Sequence, residues 1–169
     1  AGGFYRNNGK AFGAQLGIHH NRFHYYGYDH SKYTYPLNAV RQAFTNISLA
    51  VDMKDELSEG KKFSYHPTLS AGLFTDKFNA SETSFGINVP TTYIIDSNTQ
   101  VYANVHLNIT GFKNSIGSQS NNIFQIAPGI RFSKGIFTGH AGISPTIGSA
   151  GTYFLPDLAV NFMLPGTQF

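Results

Sequence analysis

Apolar and polar residues alternate with a period of two along much of this chain. The clearest stretch is 101–110, where valine, alanine, leucine and isoleucine hold the odd positions, and asparagine, histidine and threonine follow Tyr102 on the even ones. Successive side chains of a β-strand point to opposite faces, so the pattern predicts a strand with one apolar face. Its other face carries amides and imidazole rather than lysine and glutamate, which favours an enclosed polar space over bulk water.

The same alternation occurs in seven other segments. They cover residues 10–28, 41–54, 63–75, 83–95, 123–133, 136–147 and 152–164. Together they predict about eight strands, each long enough for the roughly 9–11 tilted residues that cross a bilayer. Strands in soluble sandwiches are usually shorter, about 5–6 residues. The lengths therefore favour membrane crossings.

The connections are predicted to alternate in length. Those after the first, third and fifth segments look long and polar, and 113–122 is rich in serine and asparagine. Those after the fourth and sixth segments span only a few residues, and the charged run 54–62 is interpreted as a solvated turn. Alternating long and short loops are typical of outer-membrane barrels.

Composition narrows the function classes. Charged residues make up 12% of the chain, against about 25% in an ordinary soluble domain. The net charge of +3 is too small and scattered to favour nucleic acid as a partner. The chain has no cysteine, so disulfides and thiolate metal sites are excluded. It has no run of 18 apolar residues, so no transmembrane helix is predicted.

Two architectures fit the alternation, and they differ in where the apolar face points. A lipocalin-like soluble barrel or a sandwich would turn it inward. A transmembrane barrel turns it toward lipid and encloses the polar face. The scarcity of charge favours the membrane barrel.

The alternation assigns residues to the two faces of that barrel. The predicted lumen-lining residues are Gln15, His19, Asn46, Ser48, Asp52, His66, Asn88, Asn104, His106, Asn108, Gln125, Arg131, His140, Asp157 and Asn161. The predicted lipid-facing residues are Leu16, Ile18, Ile47, Leu49, Val51, Leu69, Ile87, Val89, Val105, Leu107, Ile109, Ile126, Ile130, Ile143, Leu158, Val160 and Phe162.

Seven histidines raise the question of metal binding or catalysis. His19, His20, His24 and His30 cluster near the end of the first segment, but neighbours in a strand point to opposite faces. No metal site is predicted there. His66, His106 and His140 share the polar parity with Asp52, Asp157 and Ser144, a set from which a hydrolase site could be built. The favoured interpretation is a hydrogen-bonded lumen. No motif for a cofactor occurs, and none is predicted.

Five prolines fall inside the predicted strands. Proline lacks a backbone N–H, so it removes a ladder hydrogen bond and is normally confined to edges and bulges. We expect bulges or broken ladder bonds near these sites, which are Pro67, Pro90, Pro128, Pro145 and Pro156.

With its alternating crossings, aromatic segment ends, loop pattern and final Phe169, the chain resembles bacterial outer-membrane β-barrels, and its composition resembles those of Bacteroidota. The resemblance implies a single antiparallel up-and-down barrel domain in a Gram-negative outer membrane. It also implies a porin-like transport role, or a place in a larger envelope complex.

Expected partners are membrane lipid, lipopolysaccharide and other outer-membrane or periplasmic proteins. The pair Pro165 and Gly166 is interpreted as a turn, which favours a segment of a larger barrel over a closed barrel of about eight strands. The alternative of an outer-membrane lipid-modifying enzyme stays open, although the His-x-Ser signature of lipid A deacylases is missing.

Overall fold

The structure is a computed structural model and describes residues 1–7, 9–24, 29, 31–36, 38–39, 41–55 and 60–163. These residues form one antiparallel sheet of ten strands. Among them, no helix has the length and apolarity needed to cross a membrane. The strands are β1 (Gly2–Asn7), β2 (Lys10–His24), β3 (Arg41–Asp55), β4 (Phe63–Tyr65), β5 (Thr68–Asp76), β6 (Ser81–Ile94), β7 (Thr99–Lys113), β8 (Ser118–Lys134), β9 (Phe137–Gly148) and β10 (Gly151–Phe162).

The prediction of an antiparallel all-β fold is confirmed, and each predicted segment contains a strand. Sequence reasoning missed β1, which forms a hairpin with β2 that places Tyr5 opposite Phe12. The interpretations of residues 25–28, 30, 56–59 and 164–169, including Phe169 and the turn at Pro165, lie outside the described residues. The sheet is open, because β1 pairs only with β2 and β10 only with β9. A closed barrel is therefore not shown.

The predicted alternation of long and short loops is wrong. The connection between β5 and β6 spans only 77–80, and that between β7 and β8 spans only 114–117. Much of the supposed loop 113–122 belongs to the β7–β8 ladder, in which Ser118 lies opposite Lys113 and Asn122 opposite Ile109. The hydrogen bonds of the ladder are made by backbone groups, so a strand can continue through residues with polar side chains. Such residues show no alternation of apolar and polar positions, and the sequence pattern therefore misses them.

Four of the five prolines lie at interruptions of the ladder, as expected, whereas Pro156 pairs with Ile143 in an unbroken run of β10 with β9. β4 and β5 lie on one line beside β6 and are separated only at His66 and Pro67. The Met53 amide donates to the Pro67 carbonyl, and the His66 amide donates to the Pro90 carbonyl, each across 3.0 Å. Neither proline has an N–H for the return bond of the antiparallel pair. A second gap separates β8 from β9 between Gln125 and Gly129, beside Pro128 and Pro145.

The sheet has almost no buried core. Ala11, 4% exposed, is the only buried hydrophobic residue within the described ranges. Large apolar side chains on one face are open, including Ile18 at 65% and Leu158 at 73%. In β8 the apolar-face residues Phe124 and Ile126 are exposed, whereas the alternating Gln125 and Ala127 are half-buried. The polar face is thus the more crowded one there, and none of the described residues forms a second layer over the apolar face.

Candidate functional site

The strand register gathers the predicted lumen residues on one face of the sheet. Asn88 lies opposite His106, which in turn lies opposite Gln125. On the other face Ile87 lies opposite Leu107, and Leu107 opposite Phe124. The remaining members of both predicted sets follow the same two parities. We call the two surfaces the polar face and the apolar face. That they meet a lumen and lipid stays a prediction.

The most connected group on the polar face centres on Tyr102 of β7. Its hydroxyl donates a hydrogen bond to Oδ2 of Asp157 on β10 across 3.2 Å. The two strands between them carry glycines in the same row, because Tyr102 pairs with Gly129, Gly129 with Gly142, and Gly142 with Asp157. A Cβ on Gly129 would lie 2.4 Å from the tyrosine ring, and one on Gly142 would lie 3.0 Å from its hydroxyl. The tyrosine therefore lies flat across two strands.

Two basic side chains join this group from the neighbouring row. Arg131 of β8 lies opposite His140 of β9. The guanidinium carbon of Arg131 is 5.3 Å from the centroid of the Tyr102 ring, within the range of a cation–π contact. Nε2 of His140 is 2.8 Å from Oδ1 of Asp157, so each carboxylate oxygen has its own partner. Four side chains from four adjacent strands thus form one network, the Tyr102 network.

A second, looser pair lies near the other edge of the sheet. Nε2 of His66 is 3.4 Å from Oδ2 of Asp52. Asp52 lies opposite Gly13, and a Cβ on that glycine would collide with the carboxylate. Serine hydroxyls similarly lie over glycines elsewhere on the polar face, with Ser48 over Gly17. Small residues on one strand therefore make room for polar side chains of the next.

Sequence reasoning placed Asp52, His66, Arg131, His140 and Asp157 on the polar face but missed Tyr102 and its two glycines. The signal was present, because Tyr102 has the same parity as Asn104 and His106. The identity of its row partners depends on strand register, which the alternation alone does not supply.

The hydrolase set is not assembled. His140 contacts Asp157, but Ser144 lies four residues along β9, about 13 Å away at roughly 3.3 Å per residue. His20 contacts Thr45 and Arg22 rather than a second imidazole. No group of three His, Asp or Glu side chains suited to a metal ion occurs in the part of the chain that the structure describes. His30 lies outside that part.

The polar face therefore offers amide, hydroxyl and imidazole groups, and some of its charged side chains, such as Asp157 and Asp52, are tied into short networks. Comparison with protein-family models, with curated proteins and with solved structures gave no match.

Proposed function

We propose that this chain forms the wall, or part of the wall, of a bacterial outer-membrane β-barrel that acts as a channel or as the membrane-embedded component of an envelope complex. The observation that carries the proposal is the uncovered apolar face of a single-layered sheet, with Leu16, Ile18 and Leu49 all exposed. Apolar surface of this extent is costly in water and favourable in hydrocarbon. The opposite face carries amide and imidazole groups, including Asn46, Asn88 and His106.

The proposal explains why the outer strands need partners. β10 runs for twelve residues with a neighbour on one side only. In hydrocarbon an unpaired row of backbone N–H and C=O groups costs several kcal/mol per group. The free edges of β1 and β10 therefore pair with each other or with further strands when the sheet enters a membrane.

The proposal also gives the polar face a role. Serine hydroxyls of one strand lie over glycines of the next on that face, with Ser48 over Gly17 and Ser84 over Gly72, and the Tyr102 network fills it on the β7 to β10 side. A lumen lined in this way presents hydroxyl groups beside β2 and β3 and the Tyr102 ring on the β7 to β10 side.

Single-cysteine spin labels test the proposal directly, because the chain has no cysteine of its own. Leu107→Cys and Asn108→Cys place labels on adjacent residues with opposite faces. Protein reconstituted in phosphatidylcholine vesicles is measured for collision with oxygen, which concentrates in lipid, and with a water-soluble nickel chelate.

We expect the label at position 107 to collide with oxygen and not with nickel, and the label at 108 to show the reverse preference. Ile126→Cys and Gln125→Cys, on the neighbouring strand, form a matched second pair. Protection of positions 107 and 126 from both reagents would instead indicate a dry interior, as in a soluble ligand-binding barrel, and would refute the proposal.

A further inference from the structure

The apolar face changes character toward the end where the connection between β2 and β3 lies. In the middle of the sheet one row runs Leu16, Leu49, Ala71, Phe85 and Ile109. Four residues further along β2, on the same face, the row contains His20, Thr45, Thr75, Ser81, Lys113 and Ser118. The two rows are about 13 Å apart at roughly 3.3 Å per residue. Apolar side chains thus give way to hydroxyls and cations within one face.

Besides Lys32 in the β2–β3 connection, four described cations lie at this end, and we call these four the cationic collar: Arg22, Arg41, Lys77 and Lys113. Arg22 and Arg41 belong to the paired strands β2 and β3, and the Lys77 amine donates to the Arg41 carbonyl across 3.1 Å. Lys113 of β7 lies opposite Ser81 of β6, three strands away from β3. Of the described carboxylates at this end, Asp76 and Glu82 share the parity of the polar face, opposite Phe44 and Phe74, and Asp29 in the β2–β3 connection forms an ion pair with Lys32. The collar is therefore not neutralised on its own face.

Side-chain contacts hold part of the collar in place. Nε of Arg22 donates to Nε2 of His20 across 2.7 Å, and Nδ1 of the same ring lies 2.9 Å from the hydroxyl oxygen of Thr45. Nε of Arg41 is shielded from solvent and has no hydrogen-bond partner among the described residues. The collar thus combines an oriented guanidinium with a second one that retains an unused donor.

The other end of the apolar face is different. It is rich in aromatic rings, including Phe63, Tyr93, Phe132 and an edge-to-face pair formed by Phe137 and Phe162 with centroids 4.9 Å apart. Rings of this kind suit the interface between headgroups and hydrocarbon. A face with rings at one end and uncompensated cations at the other would meet two different headgroup layers.

We propose that the cationic collar binds phosphomonoester groups of lipid headgroups in the leaflet at that end of the sheet. This inference rests on the proposed function, since it requires the apolar face to contact lipid. Arginine forks pair with phosphate oxygens, and lysine adds point charge. A doubly charged phosphomonoester matches the collar better than a zwitterionic headgroup does.

The test compares the association of spin-labelled phosphatidic acid and spin-labelled phosphatidylcholine with the protein in vesicles. The collar variant is Arg22→Gln/Lys113→Gln. The matched control is Lys10→Gln/Lys134→Gln, which removes two exposed lysines from the aromatic end of the same face. We expect the wild-type protein to prefer phosphatidic acid. This preference should be about fivefold lower in the collar variant and unchanged in the control variant.

The inference would be overturned if the wild-type protein associated equally with both lipids. It would also be overturned if both variants lost the preference for phosphatidic acid to the same extent. Should the collar variant fail to insert, two further measurements decide the matter. The wild-type preference must fall as salt is raised, and Arg41→Gln alone must lower it. The labels at positions 107 and 108 separate the two proposals. Lipid contact without headgroup preference refutes only the collar, whereas absence of lipid contact refutes the barrel.

Discussion

The hydroxyl of Tyr102 on β7 reaches the carboxylate of Asp157 on β10 across two intervening strands, at a distance of 3.2 Å. The contact is possible because both intervening strands place glycine in that row. A side chain that crosses two strands ties four strands together. The row therefore acts as a brace on the polar face, on the side of the sheet that ends in the free edge of β10.

Gly129→Ala should remove this brace by steric collision. The added methyl group would meet the tyrosine ring at 2.4 Å and the Ala141 carbonyl at 2.9 Å, so the ring must leave its position. We expect a loss of about 1–3 kcal/mol in the free energy of unfolding, measured by urea unfolding in lipid vesicles. Gly3→Ala is the matched control, because a Cβ there has open space. Similar stability of both variants would contradict the close packing.

The hydrogen bond itself can be measured with a double-mutant cycle of Tyr102→Phe and Asp157→Asn. We expect a coupling free energy of about 0.5–1.5 kcal/mol from the unfolding midpoints. Asp157→Asn alone should cost more than Tyr102→Phe, because it also weakens the contact with His140. Tyr93→Phe, at an exposed tyrosine on the apolar face, is the control. A coupling of zero would mean that the two groups do not interact in solution.

Pro67→Ala should repair the ladder between β3 and β5. The new N–H at position 67 can donate to the Met53 carbonyl, which lacks that bond opposite proline. The added hydrogen bond should raise the free energy of unfolding, and the loss of proline rigidity should lower it. The net change should therefore be less than about 1 kcal/mol. We expect slow amide exchange at position 67 by hydrogen-exchange NMR. Pro36→Ala, in the connection after β2, should give a fast-exchanging amide.

The connection between β2 and β3 offers a pH-dependent prediction outside the sheet. The hydroxyl and then the backbone N–H of Ser31 donate to Asp29, and these bonds hold the pKa of Asp29 below its ordinary value. A lowered pKa means that ionised Asp29 stabilises the turn at pH values above its ordinary pKa. This stabilisation is lost as the pH falls through the pKa that Asp29 has in the folded protein. Ser31→Ala should raise the pKa of Asp29, as followed by carboxyl NMR titration. An unchanged titration would show that the turn does not persist in solution.

Sequence reasoning predicted more of the sheet than of the site. Alternation located the strands because one-sided burial forces apolar and polar residues apart with period two. It failed at Ser118 to Asn122, which are strand residues with polar side chains on both faces. It also failed at β1, which is too short to show a pattern. It placed His140 and Asp157 on the correct face but gave no reason to join them through Tyr102.

By itself, the sequence determined that the chain folds into antiparallel strands with one apolar and one polar face, because side-chain direction alternates in any extended backbone. It also located the ladder faults, since proline lacks a donor wherever it is placed. Only the tertiary structure decided which residues share a row, because register joins positions that are far apart along the chain. The Tyr102 network and the cationic collar are products of that register, and neither is visible in any single strand.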